Sequence, residues 1–334
     1  MVNNSLPLST TTPSGIARRW SGTARIRKLL SSGQIGLVLL ALLLLGWTIS
    51  PDFLTANNLR NLLSQTSILG ILALAQFLVV LIGGFDLSVA AILALSSVIV
   101  GVLAPHHSPA LAVLAALAAG AALGTISGLA STIGRVPPMI ATLGVAGIAR
   151  GLAFVVTPKS VLVPAGITKP LQFTAGIFTT TTLAWVILTA ILAWGLARTP
   201  TGRHLYAIGG NERSARLAGI PVLPLKIGTY AVSGALSALA GVFFVIRSSS
   251  GVPHVGGGWE LETIAGIVIG GTQLFGGEGS IINAMIGMLI YQMIGNMMNL
   301  VSLNPYYQDI VKAAVIVLVV GISVLQSRRG GRRL

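Results

Sequence analysis

The sequence predicts an all-α membrane protein of about ten transmembrane helices. Three observations carry that prediction. Of 334 residues, 54% are hydrophobic and only 8% charged, against about 25% charged in soluble domains, which leaves too little charge to cover a water-facing surface. Apolar stretches recur along the chain, each near the roughly 20 residues that cross a bilayer. Mean hydropathy is +0.88, with seven acidic residues against twenty-one basic ones. A net charge of +14 points to nucleic acid in a soluble protein. In a membrane chain it marks a cytoplasmic face turned toward anionic lipid, and no nucleic acid partner is expected. The chain has no cysteine, which excludes disulfides, iron–sulfur clusters and thiol catalysis.

Residues 1–33 are rich in Ser, Thr and Pro and end in Arg18, Arg19, Arg25, Arg27 and Lys28. They read as a flexible basic cytoplasmic leader. The apolar run that follows is an uncleaved first span at 34–50, because the basic region is too long for a signal peptide. Ser50-Pro51-Asp52-Phe53 also offers no small-x-small cleavage site. Further spans are placed at 66–82, 87–104, 110–133, 137–157, 178–197, 227–246, 261–275, 281–301 and 309–326. The membrane domain is thus 34–326, with a cytoplasmic loop at 198–226 and a basic cytoplasmic tail at 327–334. On this arrangement fifteen basic residues lie inside and five outside, with Arg150 within a span. The bias puts both termini in the cytoplasm, which requires an even number of crossings.

Small residues crowd the spans, as in Gly120, Gly124 and Gly128, and predict a closely packed bundle in which helix backbones approach. Spans 2–5 and 7–10 start on opposite sides, which allows two inverted four-helix units. The clearest internal echo, Ile82-Gly83-Gly84 against Ile269-Gly270-Gly271, places both copies inside and does not fit that register.

Several chemistries are missing. The glycine-rich segment Gly270–Ser280 contains no lysine, so it is no phosphate-binding loop. The four histidines fall in three separate loops without metal spacing, and no metal site is expected. No nucleophile elbow of the Gly-x-Ser-x-Gly type is present, so an intramembrane hydrolase has little support. The chain is expected to bind no cofactor and to make no covalent bond.

The largest polar excursion runs from Arg198 to Lys226. Asn211 is a good N-cap, Glu212 complements the helix dipole, and Gly219 followed by Pro221 stops the helix. The pattern predicts a short helix of about two turns outside the membrane, with Arg213 and Arg216 on one face and Leu217 and Ala218 as a small apolar contact. A lipid-headgroup clamp needs no capped helix, so a rigid knob for a cytoplasmic partner is favoured.

Four stretches resemble the permease subunit of bacterial ABC importers for simple sugars, the ribose/xylose/arabinose/galactose group. They are Gly83-Gly84-Phe85-Asp86-Leu87-Ser88-Val89; Gly134-Arg135-Val136-Pro137-Pro138 through Leu143-Gly144, with Ile148–Leu152; Thr201-Gly202-Arg203 through Gly219-Ile220; and Ile269-Gly270-Gly271 through Gly279-Ser280. They spread over residues 60–320. The match departs at Phe85 and Glu278. The resemblance implies a permease dimer, a cytoplasmic ATPase subunit that uses ATP and Mg, and a periplasmic or lipid-anchored sugar-binding protein in a bacterial inner membrane. It also implies that 203–219 is the element docking on the ATPase, through Gly202, Arg203, Gly209, Gly210, Asn211, Glu212, Arg213, Ala215, Arg216 and Gly219. ATP closure of the partner would shift the bundle from inward- to outward-facing.

Inside the bundle, Gln292, Asn296 and Asn299 recur at i, i+4 and i+7 on one helix face. Uncharged amides suit a neutral polyol, and equally suit interhelix hydrogen bonding. Gln76 and Thr142 are weaker candidates for the pathway. Asp86 and Arg150 are charges at or within the membrane, which flags function; for Asp86 the favoured reading is a cap on the following span. A branched-chain amino acid permease would need charged partners for a zwitterion, and the amide stripe has none. A stand-alone secondary transporter would need a titratable cluster in mid-membrane, where only Arg150 stands.

Overall fold

The computed structural model describes residues 35–329, so the leader and most of the basic tail lie outside the described residues. The chain folds into helices α1 (Ile35–Ile49), α2 (Ala56–Leu81), α3 (Val89–Leu103), α4 (Pro109–Thr132) and α5 (Pro138–Val156). After a segment with a short helix α6 (Ala165–Thr168) come α7 (Thr180–Arg198), α8 (Pro200–Gly210), α9 (Glu212–Leu217) and α10 (Val222–Ser248). The chain ends in α11 (Trp259–Ile269), α12 (Ile281–Leu300) and α13 (Pro305–Arg329). Six of these helices are long and apolar enough to cross a membrane, and α1 and α3 are shorter apolar helices.

The starts are written in the sequence. Thr55, Ser108, Thr179, Thr199, Asn211 and Ser280 each accept a backbone N–H of the turn they open, and Pro109 and Pro200 occupy first-turn positions. Helix α8 fills 200–210 of the stretch expected to be loop, α10 starts at Val222 rather than 227, and two further boundaries differ from expectation. The second span begins at Ala56, ten residues before 66, because the polar segment Asn57–Gln65 is held as helix by the Thr55 cap and tertiary packing. The span placed at 261–275 is an eleven-residue helix that stops at Ile269; Gly271, with φ +82°, turns the chain away. Two pieces of sheet were not foreseen. Val161–Leu162 pairs antiparallel with Ser250–Gly251, and Thr174–Ala175 pairs with Phe178–Thr179.

Helix α2 is the axis of the bundle: every residue from Ser67 to Ile82 is buried. It packs against α7, α10, α11 and α12. The small residues do what their pattern implied. Gly120 and Gly124 of α4 face Gly234 of α10 so closely that a Cβ at any of the three would strike backbone of the other helix. Exposed apolar side chains cover the outside, among them Trp47, Ile140, Val155, Ile191 and Trp194. That inversion of the soluble pattern is the surface of a protein solvated by lipid.

The two halves repeat one packing scheme. A long helix (α2 or α10) is followed by a short one (α3 or α11). α3 packs on α4 and α5, as α11 packs on α12 and α13. Across the halves, α10 lies on α3 and α4 while α2 lies on α11 and α12.

Candidate functional site

The polar excursion is built as two helices, α8 and α9, joined at Asn211. Thr199 caps α8 by accepting from Gly202 N at 3.1 Å. Gly202 is buried against the Leu196 carbonyl, where no Cβ fits. Leu205 and Ile208 turn into the core while Arg203 faces out. The C-terminal end of α8 then meets two glycine turns. Gly277 N donates to Leu81 O at 2.9 Å, and Gly209 sits so close to that same carbonyl and to Gly277 N that only hydrogen fits. Tyr206 Oη donates to Gly279 O at 3.0 Å; burial pushes its phenol pKa up, so it stays a donor. Gly83, Gly276 and Gly277 all have left-handed φ, at +77°, +85° and +77°. The turn after α2 thus touches the 275–277 turn, just past the second copy of the internal echo, and α8 clamps both.

Helix α9 stands on this base. Asn211 Oδ1 accepts from Ser214 N at 2.9 Å, and Gly219, with φ +80°, closes the helix as Ile220 N donates to Ala215 O at 3.1 Å. It is six residues long, close to the two turns expected, and this closure begins at Ala218. Glu212 bridges Arg216 at 3.0 Å and Lys226 of α10 at 2.9 Å. Burial raises the Glu212 pKa, but the hydrogen bonds and charges of Lys226 and Arg216 outweigh it and hold the carboxyl below its usual range.

Among the residues expected to dock a partner, Arg203, Gly210, Asn211, Arg213, Arg216 and Gly219 are exposed, whereas Gly202 and Ala215 are buried and Gly209 is partly so. Gly202, Gly209 and Ala215 pack against their own chain. Leu217, 83% exposed, crowns the knob.

The pathway candidates divide. Asn296 exchanges two hydrogen bonds with Asn58 of α2, at 2.9 and 2.8 Å. Asn299 accepts from Gln308 of α13 at 2.9 Å. Thr142 donates to Pro138 O and accepts from Leu87 N at 3.1 Å. Gln292 is buried on the same face of α12. Gln76, fully buried on α2, is different: neither its amide nitrogen nor its oxygen makes a hydrogen bond within the described chain. Such a group is costly unless water or solute meets it.

Asp86 is fully buried. Its carboxylate accepts from Ser88 N at 2.9 Å, from Ser88 Oγ, and from Ser233 Oγ of α10 at 2.8 Å. Along the chain these bonds stop at Ser88, the residue before α3, whose first turn has no side-chain cap, so Asp86 does not cap the span as expected; it ties the turn after α2 to α10. Arg150 finds carbonyls: its Nη1 donates to Pro253 O at 2.9 Å and Val255 O at 2.8 Å, fastening the α10–α11 loop to α5. Sequence reasoning missed Tyr206, Leu81, Asn58, Ser233 and Gln308 as partners. The glycine density at 276–279 was visible, but nothing in it names what lies opposite. No group of three His, Asp or Glu suited to a metal occurs among the described residues.

Residues 58–320 match the family described as the permease component of branched-chain amino acid transport systems. The chain belongs to this permease family. It is similar to the ribose import permease of Escherichia coli K12, 42% identical over 298 residues that cover 85% of this chain and 91% of that one. It is 41% identical to the ribose import permease of Bacillus subtilis strain 168 over 281 residues, 81% of this chain and 86% of the relative. The D-allose transport system permease of Escherichia coli K12 is 33% identical over 286 residues, covering 84% and 88%. No solved structure matches. Family membership and the apolar helices make this a multi-pass protein of the inner membrane.

Proposed function

We propose that this permease is the membrane-spanning subunit of an ATP-driven importer for a monosaccharide or similar small polyol. ATP and Mg are used by a separate cytoplasmic subunit docked on α9, and this chain binds no cofactor. The observation that carries the reading is α9 itself: an exposed apolar tip on a capped helix, fastened at its base to the turns of α2 and α11. A knob so anchored converts displacement by a partner into movement of the bundle axis. The sugar class is supported by the names of the relatives, which are ribose, arabinose and allose permeases.

In this reading α1–α5, α7 and α10–α13 make ten crossings with both ends in the cytoplasm. The recurring packing scheme of α2–α5 and α10–α13 is then two inverted four-helix units. A second permease copy and a periplasmic or lipid-anchored sugar-binding protein complete the importer. Gln76 and Gln292 are the pathway amides left to meet solute, because Asn296 and Asn299 are engaged with Asn58 and Gln308 between helices. The second reading, a branched-chain amino acid as substrate, draws on the family description alone.

The test is reconstitution. The permease, the ATPase encoded beside it and the cognate binding protein should accumulate labelled ribose in vesicles only with ATP. Ribose uptake competed by leucine and not by sugars would favour the second reading, and accumulation by the permease alone would overturn the partner-driven mechanism.

A further inference from the structure

A cleft of about 360 Å³ opens between the α4–α5 turn and the start of α10, beside α9. Three cations line it, Arg135, Arg216 and Lys226, with one anion, Glu212. Glu212 is already shared between Arg216 and Lys226, so Arg135 stands without an ion pair among the described residues and the cleft keeps a net positive charge. Arg135 also holds a left-handed backbone, φ +53°, which side chains disfavour and which persists only where the surroundings demand it. The preceding Gly134 is no freer, since a Cβ there would press on the Ala130 carbonyl. The chain therefore presents this guanidinium at a conformational cost.

The rest of the lining is largely apolar, with Val136, Pro137, Pro138, Val222 and Leu223. Leu223 is exposed, and so are Ile133, Met139 and Ile140, which follow the lining residues Thr132 and Pro138 in the chain at the ends of α4 and α5. Free phosphate, nucleotide or a soluble acid gains nothing from such a rim. A basic pocket between helix ends with aliphatic side chains alongside matches the head and tails of a charged lipid. We propose that the cleft binds the phosphate headgroup of an anionic glycerophospholipid, with its acyl chains against Ile133, Ile140 and Leu223. The inference needs only the membrane location, and stands or falls separately from the transport reading. Because Arg216 and Lys226 also anchor α9 through Glu212, a bound headgroup braces the docking element.

The test uses the purified full-length permease in detergent, given equal amounts of phosphatidylglycerol and phosphatidylcholine, with retained lipid read by native mass spectrometry. The wild type should prefer phosphatidylglycerol. R135Q should lower that preference about fivefold, the equivalent of about 1 kcal/mol for one cation at a lipid surface, and R135K should keep most of it. Equal retention of both lipids by the wild type overturns the proposal, as does an unchanged preference in R135Q. Displacement of the lipid by inorganic phosphate at equal concentration would make this a free-anion site and overturn it too. So would loss of retained lipid on adding the ATPase subunit, which would assign the cleft to an acidic group of that partner. Should R135Q not fold, the wild-type preference and R135K still decide.

Discussion

At the residue scale, polar side chains buried in the bundle are chiefly fasteners. The reciprocal amides of Asn58 and Asn296 use the two donors and acceptors that face each other across α2 and α12, and Asp86 satisfies its carboxylate with three donors rather than a cation. The amide pair is expected to contribute about 0.6–1.7 kcal/mol, the range of interhelix hydrogen bonds in membranes. A double-mutant cycle of Asn58→Ala and Asn296→Ala, read by unfolding in lipid, measures it directly. Asn296→Leu should lower stability while leaving substrate affinity unchanged; a specific loss of affinity would return Asn296 to the pathway.

At the element scale, α8 and α9 divide the labour between support and contact. The exposed tip at Leu217 meets whatever docks, and the buried side of α8 passes the load to Leu81 and the 270–280 turn. Gly209→Ala forces a Cβ into the Leu81 carbonyl; overpacking of this kind costs about 1–3 kcal/mol, enough to shift a conformational equilibrium about fivefold or more. Uptake should fall by about that factor while the ATPase still co-purifies. Tyr206→Phe removes a single hydrogen bond and should act more gently, raising the ATP hydrolysed per sugar transported. Loss of ATPase binding in either variant would place these residues in the docking contact instead.

At the scale of the whole molecule, the repeated packing of α2–α5 and α10–α13 sets the expected topology. Because the chain has no cysteine, single cysteines introduced at His106, Gln172 and Arg213, all exposed, report sidedness without background. An impermeant thiol reagent applied to intact cells should label His106→Cys and Gln172→Cys and spare Arg213→Cys. Labelling of Arg213→Cys from outside would overturn the ten-crossing arrangement.

Composition and periodicity were enough to establish the membrane class and the capped knob opened by Asn211 at 212–217, because each depends on groups within a few residues of one another, whereas the starts at Thr55 and Thr199 emerged only with the fold. Glycine density along α4 likewise announced close packing, since only a missing Cβ permits it. The roles of individual polar residues depended on distance through space. Whether Asn296 meets solute or Asn58, whether Arg150 finds an acid or two carbonyls, and why Gly209 must be glycine are all decided by partners as many as 238 positions away. A hydrogen bond or a steric contact is a property of two surfaces, and the chain spells out only one of them at a time.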